Sequence, residues 1–171
     1  MAQSTLTNEM SLQEQTDSDQ YLTFLLADEE YGVNILRVQE IRGWESATSI
    51  PNTPDYILGV INLRGTIVPI LDLRRRFGLS NTEFDGTTVV VVVKVKHDGT
   101  ERTVGMVVDA VSEVYNVSKE MIRDAPDLGG AAISTDFVMG LAPVDEKMII
   151  LLDVDLLIQK GVLEISDTEK L

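Results

Sequence analysis

The chain has 171 residues, 44% of them apolar, enough for one sizeable core or two small ones. It carries 28 acidic against 14 basic residues for a net charge of −14, so nucleic-acid phosphates and anionic lipid surfaces are poor partners. Cysteine is absent, which removes disulfides, thiolate catalysis and zinc–thiolate sites and suits a cytoplasmic protein. The first twenty residues lack a signal-peptide pattern, and no apolar run approaches the roughly 20 residues that span a bilayer.

Residues 1–19 are polar and have no apolar period, which reads as a disordered tail with order beginning near Gln20. Residues 21–26 form a predicted strand, 27–30 its turn and 31–33 the returning strand. Ile35, Val38 and Ile41 then recur every three residues. That spacing suits a short helical turn or an irregular strand crossing, with Asn34 placed to cap it. Together with Val33 they are more apolar than one crossing needs, so they either line a groove between the halves of the molecule or fill a core there. Residues 44–54 hold two prolines and read as loop.

Residues 59–73, GVINLRGTIVPILDL, read as two strands joined by a tight turn. Gly65 takes the positive φ that such a turn needs, and Pro69, which has no N–H, predicts an edge strand or a bulge. Arg64 sits at the apex between apolar strands, as a solvated tip or as a fixed contact point on a binding surface. Arg74, Arg75 and Arg76 before Phe77-Gly78 read as the solvated end of one helical turn, with contact to an acidic partner as the other reading. Residues 87–95 form a β-branched strand buried on both faces with Lys94 and Lys96 as charged flanks, His97-Asp98-Gly99 is its turn, and 103–108 returns.

A repeat runs through the chain. Tyr31-Gly32, Val38 and Glu40 recur as Val104-Gly105, Val111 and Glu113, 73 residues on, while Gly59 and Ile70-Leu71-Asp72-Leu73 recur as Gly140 and Leu151-Leu152-Asp153-Val154, 81 residues on. The difference falls in the loop 127–133, where insertion costs little. Each half reads as hairpin, crossing, loop, hairpin and terminal helical turn, about five strands that close a small barrel. The predicted fold is therefore all-β, two similar five-stranded barrels side by side with a boundary near residues 80–87, terminal elements crossing over and residues 154–158 as a helical bridge.

No catalytic machinery assembles. There is no phosphate-binding glycine loop and no nucleophile elbow, and the single histidine, His97, lies in a turn. Asp153 and Asp155 would share a strand face that a hard cation could use, or Asp155 begins and caps the last helical turn. An interaction module is the stronger class, because small barrels present edges and grooves that take up strands or helices from partners. A metal- or small-molecule-binding regulator is the alternative.

The runs EEYGVNILRVQEIRG (29–43), IPNTPDYILGVINLRGTIVPILDLRRRFG (50–78) and VGMVVDAVSEV (104–114) resemble the CheW-type chemotaxis coupling proteins. The likeness extends over residues 20–163, leaving 164–171 as a tail, and its NLRG and VPILDLR motifs are specific. The same module is found in the kinase CheA and in CheV adaptors, but the length here fits the stand-alone coupling protein. The resemblance implies two SH3-like five-stranded barrels around a hydrophobic core, no catalysis and no cofactor. It implies a cytoplasmic adaptor, recruited to membrane-associated arrays, that joins chemoreceptor tips to CheA. A coupling protein of a pilus-type chemosensory pathway is the variant within that class. Carried over by motif, a receptor-binding groove involves Val38, Glu40, Gly59, Arg64 and Val114. Kinase contact involves Ile67, and a further ring surface with the kinase or other coupling proteins involves Arg123 and Leu128. Glu40 and Arg64, opposite in sign and each beside apolar neighbours, are expected to pair at the groove.

Overall fold

The computed structural model describes residues 18–80, 82–124 and 137–159, and Leu128 and the loop 127–133 lie outside these. Among the described residues ten strands form: β1 (Ser18–Leu26), β2 (Glu29–Asn34), β3 (Val38–Gly43), β4 (Ile57–Leu63), β5 (Thr66–Asp72), β6 (Val89–His97), β7 (Thr100–Val108), β8 (Ala110–Ser118), β9 (Val138–Val144) and β10 (Lys147–Leu152). Two short helices follow the later hairpins of each repeat, α1 (Leu73–Arg76) and α2 (Val154–Gln159). The predicted first strand gains three residues at its start, with Ser18 pairing to Ser118. Both readings of residues 35–41 are realised in sequence: a single 3-10 turn at Ile35–Arg37, capped by Asn34 accepting from the Leu36 amide, and then β3.

Four hairpins share one turn. Ala27-Asp28, Arg64-Gly65, Asp98-Gly99 and Asp145-Glu146 each place two successive residues at positive φ, the mirror-image turn whose twist matches that of the flanking strands. Pro69 is not on an edge strand, for β5 lies between β4 and β7. Its missing N–H is tolerated because Val60, opposite, exchanges both backbone hydrogen bonds with Thr48, and the parallel ladder to β7 begins only at Ile70.

The sheets run β3-β6-β7-β5-β4 and β8-β1-β2-β10-β9. Each curls shut through the segment after its first strand: Thr48 bridges to Val60 of β4, and Arg123 bridges to Leu141 of β9. The five strands of a barrel are thus not consecutive, which corrects the expectation of one barrel per half. Each barrel takes the first hairpin of one repeat and the last three strands of the other. The exchange has a physical reason in burial. β6 turns Val90 and Val92 into one barrel and Val91, Val93 and Val95 onto the other sheet, so its valine run is buried on both faces only when it is central to the assembly. One core fills each barrel, and a larger one between them joins Leu22, Phe24 and Val33 with Leu71, Val93 and Met106. Ile35 and Val38 pack against that middle core, whereas Ile41 is exposed.

The duplication extends to the backbone contact that precedes each helix. The Asp72 amide donates to the Tyr56 carbonyl and the Asp153 amide to Phe137, and each aspartate then caps its helix. The bridging role expected of residues 154–158 is visible in α2, which leaves one barrel with β10 and packs Val154, Leu157 and Ile158 into the middle core. The basic run is not a solvated helix end: Arg74 is only 1% exposed, and Arg76 stacks over Tyr56 and Phe137.

Candidate partner-binding surface

β3 and β4 are the outer strands of the first barrel, and the turn after β4 carries Arg64 back to β3. There its Nη2 donates to Glu40 Oε1 at 2.6 Å. The expected pair is present. Its geometry has a local cause, since the Asn62 side chain accepts from the Gly65 amide and fixes the turn. Arg64 remains 70% exposed in this pair while Glu40 is 25% exposed, so the guanidinium faces solvent on a carboxylate anchor. Ile67, paired with Asn62 just beyond the turn, is 54% exposed, and Ile41 beside Glu40 is also open. Together these make a small charged and aliphatic corner. Next to it, Arg42, Trp44, Ile61, Asn62 and Val90 line a cleft of about 150 Å³ between the two outer strands.

Gly59 is placed differently. It is buried at φ 139°, and a Cβ there would collide with the Thr48 carbonyl, so its part is to let the barrel close. Val38 is half-buried against the middle core. Val114 lies on β8 of the other sheet, exposed and opposite Leu22 of β1. Arg123 is exposed and holds the closing bridge of the second barrel with its backbone. The structure therefore brings Glu40, Arg64 and Ile67 to one corner and sets Val114 and Arg123 on the other barrel. Sequence reasoning passed over Leu36, the most exposed large apolar side chain among the described residues at 83%. The Asn34 cap was its signal, because a single turn that leans Ile35 on the middle core directs the next residue, Leu36, outward.

Asp153 and Asp155 are committed elsewhere. Asp153 caps α2 through the Asp155 and Leu156 amides, the role the sequence suggested for Asp155. Asp155 instead receives Arg37 at 3.1 and 2.7 Å and the Lys96 amide at 2.7 Å. Among the described residues no three histidine, aspartate or glutamate side chains converge as a metal site would require. No described helix is long and apolar enough to cross a membrane. On the second barrel, partial burial followed by the Glu113 carboxylate raises the Tyr115 phenol above its ordinary range, with Glu30 and Asp145 adding to the effect.

The CheW-like domain family model matches residues 20–162. The chain is 43% identical to the chemotaxis protein CheW of Klebsiella aerogenes over 153 residues, covering 90% of this chain and 89% of that one. It is 40% identical to CheW of Rhizobium meliloti over 134 residues, 78% of this chain and 83% of that one. Among solved structures, the scaffolding protein TtCheW of Thermoanaerobacter tengcongensis superposes with a TM-score of 0.74 at 36% identity, covering 84% of this chain and 94% of that one. Two interleaved five-stranded barrels agree with that likeness, and the chain belongs to the CheW-like family of chemotaxis scaffold proteins.

Proposed function

We propose that this chain couples the cytoplasmic tips of chemoreceptors to the histidine kinase CheA, within arrays at the cytoplasmic face of the membrane. The observation that carries the reading is the Arg64–Glu40 corner with Ile67 beside it. A cation pre-oriented by a carboxylate next to exposed aliphatic side chains is ready to meet a partner without further ordering cost. The repeat supports it, because the equivalent turn on the second barrel carries Asp145-Glu146 and no arginine. The same scaffold is built twice, and the arginine tip once. In this reading Glu40, Arg64, Val38 and Val114 serve the receptor, Ile67 serves the kinase, and Arg123 serves contacts that extend the array.

The test is capture of the purified chain by receptor tips and by CheA, with and without Arg64→Glu. An exposed ion pair contributes only about 0–1 kcal/mol to stability, so the melting midpoint should move by no more than about 4 °C. Capture should fall about tenfold, the loss of one well-placed polar contact. A large drop in midpoint with capture intact would make the corner structural and overturn the reading.

A further inference from the structure

Of the ion pairs that join the repeats among the described residues, two occupy corresponding places in the duplication, each pinning a terminal helix to the segment after a first hairpin. Arg74 at the start of α1 reaches Asp109, between β7 and β8, at 3.1 Å. Asp155, the equivalent position in α2, receives Arg37, between β2 and β3, at 2.7 Å. The polarity is reversed: the first repeat supplies both arginines and the second both aspartates. Pairing two first repeats would set arginine beside arginine at each pin, and pairing two second repeats would set aspartate beside aspartate. Only a first repeat with a second satisfies both.

Nothing in that code requires the two repeats to lie on one chain. What favours one chain is the connection between them. Arg74 donates from all five of its N–H positions: to both Asp72 oxygens at 3.0 and 3.1 Å, to Asp109, to the Thr82 carbonyl at 3.2 Å and to the Glu83 carbonyl. Two of these acceptors belong to the connection itself. Phe84 closes over the guanidinium at 5.0 Å and stacks on Trp44 at 4.9 Å, while Thr87 donates to the Asp109 carbonyl at 3.0 Å.

We propose that Arg74 is a latch. It fastens the connection so that the interleaved repeats close within one chain, and the partner the pins admit when it loosens is a second copy, exchanged reciprocally with every pairing preserved. Full-length protein in two mass-distinguishable forms is unfolded in denaturant, refolded together at high concentration, diluted and sized by light scattering. Arg74→Gln is the direct variant. Phe84→Ala, at a part-exposed site that leaves the ion pairs in place, decides the matter where Arg74→Gln does not refold. The expected result is a dimer that survives dilution, about threefold or more enriched over the parent chain, with hybrids only after co-refolding. The proposal is overturned by equal dimer yields in all forms, or by hybrids appearing when native proteins are simply mixed, which is surface association.

Discussion

At the scale of single residues, backbone geometry separates glycines that look alike in the sequence. Gly59→Ala would drive a Cβ into the Thr48 carbonyl at a φ that side chains rarely adopt, and should cost about 2–4 kcal/mol in urea unfolding. Gly65→Ala meets nothing within 4 Å and should cost only about 1 kcal/mol through its positive φ. Ala27 stands in the same kind of turn at φ 49° without a glycine's freedom, so Ala27→Gly should raise stability by up to about 1 kcal/mol. Gly59 was legible as a motif residue, but the carbonyl that makes it necessary comes from a loop eleven residues upstream that no local pattern points to. Glu40 and Arg64 were legible as a pair because opposite charges stood alone among apolar neighbours. Arg74 was not, since three successive arginines read as a solvated face, and the carboxylates that bury it arrive from β5 and from a junction 35 residues downstream.

At the scale of elements, α2 is fastened to the 3-10 turn before β3 by Asp155, which serves both Arg37 and the Lys96 amide. Asp155→Ala leaves those donors without their acceptor and should cost about 1–2 kcal/mol, a figure held low because both side chains are partly solvated. Arg37→Asp should do more harm by setting two carboxylates together, and Arg37→Asp with Asp155→Arg should recover part of the loss, as read in thermal melts. The hairpins were legible one by one, each from alternating apolar residues around a two-residue turn. Their exchange was not. An internal repeat tells which segments are alike, whereas the parallel ladders β2–β10 and β5–β7, which decide the barrels, join strands far apart in the chain.

At the scale of the whole molecule, the middle core takes side chains from both sheets, so neither barrel should unfold alone. Fluorescence of the single tryptophan, Trp44 in the first barrel, should report the same urea midpoint as far-ultraviolet circular dichroism. Two separated transitions would contradict a shared core. Alkali offers a second check. Burial, with Asp19 and Glu29 adding to it, raises the Tyr21 and Tyr31 phenols above their ordinary 10.0. The unfolded chain therefore releases those protons first, and stability that is full below pH 10 should fall as pH rises through the folded values.

The interleaving also sets a timetable for synthesis. Tyr31 meets Ile150 in a ladder that joins positions about 120 residues apart, so at 5–20 residues per second the first hairpin waits about 6–24 s for its neighbour. Through that interval Leu22, Phe24 and Leu26, all buried in the finished protein, have no barrel to enter. A nascent chain of this family is thus an aggregation-prone client on the ribosome until nearly its last strand is made, and holding chaperones should bind it most when stalled before β10.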